Sequence, residues 1–290
     1  MYELGDADAP ALLYLHGGPG MGCHEFVRWQ GTALAAGVHL IAFDQRGFHH
    51  SDPIGTDEPL DEDVFVEDCE ALREALGVES WFVLGHSYGG RLAARYAARH
   101  PANIRGVIFE NPAWNIESTQ RHRMPVFASI YERHGRLPEA QACRAFAASP
   151  DMFAEDPLRM DLIRGMERLG EAWYLYDRSD TGLLEAAALD RLDEEADTRA
   201  AETLYRDPLN SEDLRPLLGG LRVPARLIVG EADLVTSPDQ IASFAAAFGP
   251  GSVRTVAEAG HFVQGERPEI YARIVLDFVG VGRRGPGSAG

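Results

Sequence analysis

Residues 81–90 read Trp81-Phe82-Val83-Leu84-Gly85-His86-Ser87-Tyr88-Gly89-Gly90. The apolar run at the front predicts a short buried strand that stops at Gly85. From Tyr88 onward, Leu92, Tyr96 and Ala97 fall on one face of a helix spanning about 88–99. Between strand and helix, Gly85-His86-Ser87-Tyr88-Gly89 fits G-x-S-x-G, a tight turn whose glycines stand where a Cβ would clash. Such a turn lifts the Ser87 hydroxyl out of the sheet and opens the helix with the Tyr88 N–H. The five-residue pattern recurs by chance in many chains. Its strand-to-helix context is what makes Ser87 a candidate nucleophile.

The same alternation extends to both sides. Ala11–Leu15, Val38–Phe43 and Ile104–Phe109 are short apolar runs ending at glycine or acidic residues, and a helix is expected over about 61–76. Strands apolar on both faces, separated by helices, predict an α/β fold with a mostly parallel central sheet flanked by helices. From 112 to 220 the strand signal disappears, and helices punctuated by Pro125, Pro138, Pro150, Pro157 and Pro208 take over. It returns with strands at 225–229 and 252–256 and helices near 238–248 and 268–279. The expected layout is a first core segment over 1–111, a helical insertion over 112–220, a second core segment over 221–280 and a disordered tail over 281–290.

Composition narrows the function. The 290 residues are 45% hydrophobic and 25% charged, as in an ordinary globular chain. A net charge of −18 would repel a phosphate backbone, so nucleic-acid partners are not expected. All 27 basic residues are Arg, which removes lysine Schiff-base chemistry and Ser-Lys dyads. No apolar run reaches the roughly 20 residues needed to span a bilayer, and the acidic N-terminus lacks a signal-peptide core. Cys23, Cys69 and Cys143 are an odd number without a C-x-x-C pair, which argues for a reducing cytoplasm. The expected partner is a small molecule or short peptide, with no membrane association; the oligomeric state stays open.

A serine nucleophile needs a base oriented by an acid, and on this kind of turn they follow in the order acid, then histidine. His261, in Ala259-Gly260-His261-Phe262, is the only histidine beyond residue 134. The acid candidate is Asp233, two residues into the loop after the 225–229 strand, with Glu231 as its neighbour. An oxyanion hole needs two backbone N–H groups. Tyr88 is one candidate; the other is Gly18 in His16-Gly17-Gly18-Pro19-Gly20, since Pro19 has no N–H. His16 is read as tying that loop down, His49-His50 as a polar loop, and Cys23 as a small buried residue.

Three motifs, His16-Gly17-Gly18-Pro19-Gly20, Asp44-Gln45-Arg46-Gly47 and the nucleophile turn at 85–90, resemble those of the α/β-hydrolase superfamily and, within it, the proline iminopeptidase-like group. The resemblance covers about 4–112 and 221–280. It implies a Ser-Asp-His triad, a helical cap over the site and no metal or organic cofactor. Two features depart from the group. Only ten residues precede the first motif strand, where members usually have two strands, with Tyr2-Glu3-Leu4 a candidate remnant. The nucleophile turn is the form shared with esterases rather than the GGSWGS of the peptidases.

By the same resemblance, Asp177 and Glu202 fall on the two acidic positions that hold a substrate ammonium group, and Trp173 precedes the first of them in a substrate-binding segment. A solvated acidic helical face explains both acids equally well. Trp114, Met124, Phe127 and Tyr131 are candidates for a pocket under the cap or for its core. The implied activity is release of N-terminal residues, proline preferred, from short peptides or amides. The alternatives are a carboxylic ester or lactone hydrolase with the same triad, and a non-catalytic relative that binds a small ligand.

Overall fold

Leu12 and Tyr14 point to one side of their strand and Leu13 and Leu15 to the other, and all four are buried. That double burial needs cover on both faces, and the fold supplies it. The computed structural model describes residues 1–55, 58–148, 157–176, 200–204 and 212–281. Among them the strands are β1 (Tyr2–Leu4), β2 (Ala11–Leu15), β3 (His39–Ala42), β4 (Trp81–His86), β5 (Ile104–Glu110), β6 (Ala225–Gly230) and β7 (Val253–Val256). They form one sheet in the order β1-β3-β2-β4-β5-β6-β7. Only β1 runs antiparallel, against β3; the other pairs are parallel.

Among the described residues the chain forms α1 (His24–Ala35), α2 (Glu62–Ala75), α3 (Tyr88–Arg99), α4 (Ile116–Arg133), α5 (Leu137–Ala148), α6 (Pro157–Arg168), α7 (Arg215–Leu218), α8 (Pro238–Phe248), α9 (Val263–Glu266) and α10 (Pro268–Val279), with a further helical stretch over 200–204. Phe65, Leu92, Tyr96 and Phe244 of α2, α3 and α8 pack on the face bearing Leu13 and Val83. Phe26 and Leu34 of α1, with Tyr271 and Val275 of α10, cover the face bearing Leu12 and Leu84. A third cluster joins Met124, Phe127 and Tyr131 of α4 to Cys143, Met166 and Trp173, and reaches Leu234 and Val235. Trp114 belongs instead to the first face, stacked on Phe244.

The strand order fixes where a ligand can sit. From β2 the chain moves outward to β3, then crosses back over β2 to β4 and continues in the other direction. The loops leaving β2 and β4 at their carboxyl ends therefore diverge and leave a crevice, the usual ligand position in an open parallel sheet. Those two loops carry His16–Gly20 and Ser87.

Tyr2-Glu3-Leu4 does form a strand, at the sheet edge. Helix α1 has no counterpart among the helices expected from sequence. Its buried face includes Glu25, Gln30 and Gly31 beside Phe26 and Leu34, which breaks the apolar period, and Cys23 at its start makes no side-chain cap. Between β5 and β6 the described residues contain helices and no strand. Asp177 and the expected tail beyond Val281 lie outside the described residues. Among the described residues no helix is long and apolar enough to cross a membrane.

Candidate active site

Ser87 joins β4 to α3 at φ 53° and ψ −116°, a left-handed conformation that costs a non-glycine residue energy and needs support from its surroundings. The support is visible in the backbone. The Ser87 N–H donates to the Glu110 carbonyl at 2.9 Å, and the Ser87 carbonyl accepts from Gly90 at 3.0 Å and Ala113 at 3.2 Å. The flanking glycines are required: a Cβ on Gly85 would lie 2.3 Å from the Gly89 oxygen, and one on Gly89 would lie 2.1 Å from the Leu15 oxygen.

His261 and Asp233 meet. Nδ1 of His261 is 2.7 Å from Oδ1 of Asp233, and both side chains are buried. Glu231 takes no part; it is exposed and accepts from the Glu258 N–H. Burial disfavours the Asp233 carboxylate, but the facing His261 ring and the N–H groups of Thr236 (2.7 Å) and Val235 (3.2 Å) outweigh it and hold the carboxyl below the usual range. An ionised Asp233 can only accept, so the neutral ring carries its proton on Nδ1 and leaves Nε2 as the basic nitrogen. The backbone of this loop is tied from outside the sheet. The His261 N–H donates to the Tyr174 carbonyl at 2.7 Å. Glu266 accepts from Gly260 (2.9 Å) and Phe262 (3.3 Å) through Oε1, and from Tyr176 (2.7 Å) through Oε2.

The loop after β2 lies against the serine. A Cβ on Gly17 would come within 2.9 Å of both the Ser87 Cβ and the His86 ring. Gly18 has φ 112°, a region open to glycine, and a Cβ there would meet the Gly20 nitrogen at 2.5 Å. Tyr88 is the first residue of α3 and is buried. His16 holds this loop to the DQRG turn: its Nε2 accepts the Gln45 N–H at 2.9 Å, and its Nδ1 lies 3.0 Å from the Gly17 oxygen. A backbone N–H at Nε2 fixes the tautomer, so Nδ1 carries the proton and donates. Asp44 adds a second tie, accepting from the Cys23 N–H at 2.9 Å.

His16 yields a pH prediction. Burial pushes its pKa down to about 4, and a proton on Nε2 would face the Gln45 donor. The unfolded chain binds that proton near pH 6.5, so the stability due to neutral His16 is whole above that value and is lost as the pH falls toward 4. The expected loss between about pH 7 and pH 4.5 is about 2–3 kcal/mol. His16→Gln, which can still accept from Gln45, should remove that part of the acid slope in urea unfolding measured at the two pH values. An unchanged slope would refute the assignment.

The remaining sequence candidates fall unevenly. Trp173 is buried in the third cluster against Phe127 and Tyr174, and its Nε1 has no hydrogen-bond partner among the described residues. Tyr174, the next residue, is the one bonded to His261. Glu202 is exposed on a helical stretch over 200–204 whose Ala200 packs beside Gly47. Asp177 lies outside the described residues. His50 pairs with Asp44 at 3.0 Å, and His49 lies 3.0 Å from the Gly20 oxygen, so both serve the loop. All three cysteines are free and buried, and burial raises the thiol pKa of each.

Sequence reasoning missed Glu110 and Asn111, which close β5. Glu110 is fully buried, with Oε1 accepting from the Gln264 N–H and Oε2 from the Tyr271 hydroxyl, each at 3.0 Å. His86 lies 3.4 Å from it, and the His86 ring packs 4.8 Å from the His261 ring. Burial lowers the His86 pKa despite that carboxylate. The available signal was Asn111-Pro112, a turn dipeptide directly after a strand.

The family described as alpha/beta hydrolase fold matches residues 10–268. A proline iminopeptidase of Heyndrickxia coagulans is 30% identical over 155 residues, 50% of this chain and 51% of that protein. The chain thus spans about half the length of that curated relative. A 2-hydroxy-6-oxo-6-phenylhexa-2,4-dienoate hydrolase of Comamonas testosteroni is 25% identical over 282 residues, 96% of this chain and 89% of that one. The solved structure of a proline iminopeptidase-related protein from Thermus thermophilus is similar at a TM-score of 0.66 and 26% identity, covering 96% of this chain and 92% of that one. The sheet order, the turn at Ser87 and a match over most of the chain agree: the protein belongs to the α/β-hydrolase fold family.

Proposed function

We propose that the protein is a serine hydrolase working through an acyl-enzyme. The observation that carries this reading is the buried Asp233–His261 pair, 2.7 Å apart, in a site that also holds a serine on a strained, glycine-flanked turn. Ser87 attacks a carbonyl and passes its proton to Nε2 of His261. Asp233 keeps the ring in that tautomer and stabilises the imidazolium. The N–H groups of Gly18 and Tyr88 receive the oxyanion. The leaving group departs with the proton from His261, and water, deprotonated by the same ring, releases the acyl group. The free, buried cysteines accord with a cytoplasmic setting.

For the substrate we propose the N-terminal residue of a short peptide or amide, proline preferred, on the strength of the similarity to the H. coagulans enzyme. Asp177 and Glu202 would then hold the ammonium group, and Trp173 would line the segment beside His261. A second reading, hydrolysis of a carboxylic ester or lactone, is favoured by one observation: Glu202 is exposed to solvent, a poor setting for a charge that must bind an ammonium tightly.

Paired turnover of a prolyl arylamide and a short-chain aryl ester separates the two. Under the peptidase reading Glu202→Gln lowers kcat/KM for the arylamide by about 10- to 100-fold, the worth of one charge-assisted hydrogen bond, and leaves the ester unaffected. Ester turnover alone, indifferent to Glu202→Gln, would overturn the peptidase reading in favour of the second.

A further inference from the structure

The three loops that carry Ser87, Asp233 and His261 leave three different strands; the last two are tied to each other by the Ala232 N–H, which donates to the Ala259 carbonyl at 2.9 Å. One segment touches all of them. At the end of β5, the Glu110 carbonyl accepts the Ser87 N–H at 2.9 Å, and the Ala113 N–H returns to the Ser87 carbonyl at 3.2 Å. The Asn111 side chain accepts the Gly230 N–H at 3.0 Å through Oδ1, at the root of the Asp233 loop. Its Nδ2 donates to the carbonyls of Gly260 at 3.0 Å and His261 at 2.8 Å. The Pro112 carbonyl accepts the Thr236 hydroxyl at 2.9 Å, and Thr236 also donates its N–H to Asp233.

The orientation of the Asn111 amide is forced. A backbone N–H can only meet its oxygen and two carbonyls can only meet its nitrogen, so the group fits in one way and fills three of its four hydrogen-bonding places. Asn111 is fully buried, and its φ of 42° is in the left-handed region, which asparagine tolerates better than most residues. A buried polar side chain held in a strained backbone, with its bonds leading to two different loops of one site, is a costly arrangement for filling space. An apolar residue of the same size would tolerate that φ less well and could make none of the three bonds.

We infer that Asn111 is a positioning residue for this reaction, fixing the His261 and Asp233 loops against the nucleophile turn so that the three side chains share one alignment. The inference rests on the serine-hydrolase reading. Asn111 touches no reacting atom. It acts through the main chain of its neighbours: the His261 carbonyl on one side, Gly230 on the other, and Ser87 through the adjoining peptide of Glu110.

The test uses a fluorophosphonate probe, whose reaction needs the activated serine but no knowledge of the substrate, across a range of pH. Asn111→Gly keeps the left-handed backbone and deletes the bridge; Asn111→Asp keeps size and shape but turns the donor that faces two carbonyls into an acceptor. Both are expected to label about 10²-fold more slowly than wild type, the scale of a misalignment near 1 Å. The pH midpoint of labelling should move as well, while far-UV circular dichroism stays native. A residue that only supports the fold would lower the melting temperature and leave the labelling rate of the folded protein, and its pH midpoint, unchanged; that result overturns the assignment. Failure of both variants to fold would overturn it too, in favour of a role in folding at large. If wild type is not labelled, or Ser87→Ala is labelled equally, the serine-hydrolase reading itself falls and takes the inference with it.

Discussion

Ser87→Ala is expected to reduce kcat on the preferred substrate by about 10⁶-fold, with circular dichroism unchanged. The size follows from the division of labour in the proposed site. Without Oγ there is no acyl-enzyme, and what remains is water attacking a carbonyl polarised by two N–H groups, worth about 10³–10⁴ over the uncatalysed reaction. Asp233→Asn should cost about 10⁴-fold by a different route. Asp233 accepts from Val235, Thr236 and His261 at once, and an asparagine has one acceptor oxygen for the three donors. The ring must then surrender its Nδ1 proton or turn away, and either change spoils Nε2 as a base. Single-turnover rates on an aryl ester or arylamide measure both. Retention of more than about a tenth of wild-type kcat in Ser87→Ala would place the nucleophile elsewhere, since no catalytic serine is replaced at so small a loss.

The largest effect on stability is expected at Arg91, one turn into α3 from the serine. Its guanidinium is fully buried, 2.6 Å from Glu62, and donates to the carbonyls of Trp114 and Glu212 at 3.1 Å and of Ala113 at 3.3 Å. Glu62 is also fully buried and receives Arg95 as well. Arg91→Met removes a cation from among four acceptors and leaves Glu62 with one partner where it had two. Breaking one half of a buried pair costs about 3–5 kcal/mol, to be read as a shift in the urea midpoint. Adding Glu62→Gln should return part of that loss, because the buried carboxylate left with Arg95 alone is then neutral. If the double variant is no more stable than Arg91→Met alone, the loss comes from the carbonyl contacts rather than the charge.

Much of this was legible because parallel sheets write themselves plainly. Leu12 to Leu15 and Val83 to Leu84 are apolar at every position because both faces are covered, and the glycines after them mark where the chain must turn. His16, read as a loop tie, bonds the first loop to the DQRG turn as expected. Asp233 was separable from Glu231 by its place in the loop. Helix α1 escaped because its buried face gives positions to Gln30, which donates to the Gln264 carbonyl at 2.6 Å, and to Gly31, whose Cβ would press on Leu4 at 3.0 Å. Neither requirement has a local signature. Asn111 escaped for a related reason: its partners lie more than a hundred residues away, and a lone asparagine before a proline reads as punctuation. The substrate was least legible, since one of the two acids named for it is exposed and the residues expected to surround it are scattered along the stretch with the least regular pattern.

The two bonds that fasten the histidine loop to residues 172–176, from the His261 N–H to Tyr174 and from Tyr176 to Glu266, have a mechanical consequence. They tie the two pieces of chain together at two points. A push on that stretch from outside is delivered to the imidazole ring, and a shift of the ring is felt at the outer surface, where Tyr176 is exposed. Loosening one therefore shifts the other, and under the proposed mechanism those few ångströms link the exterior to the ring that serves as base.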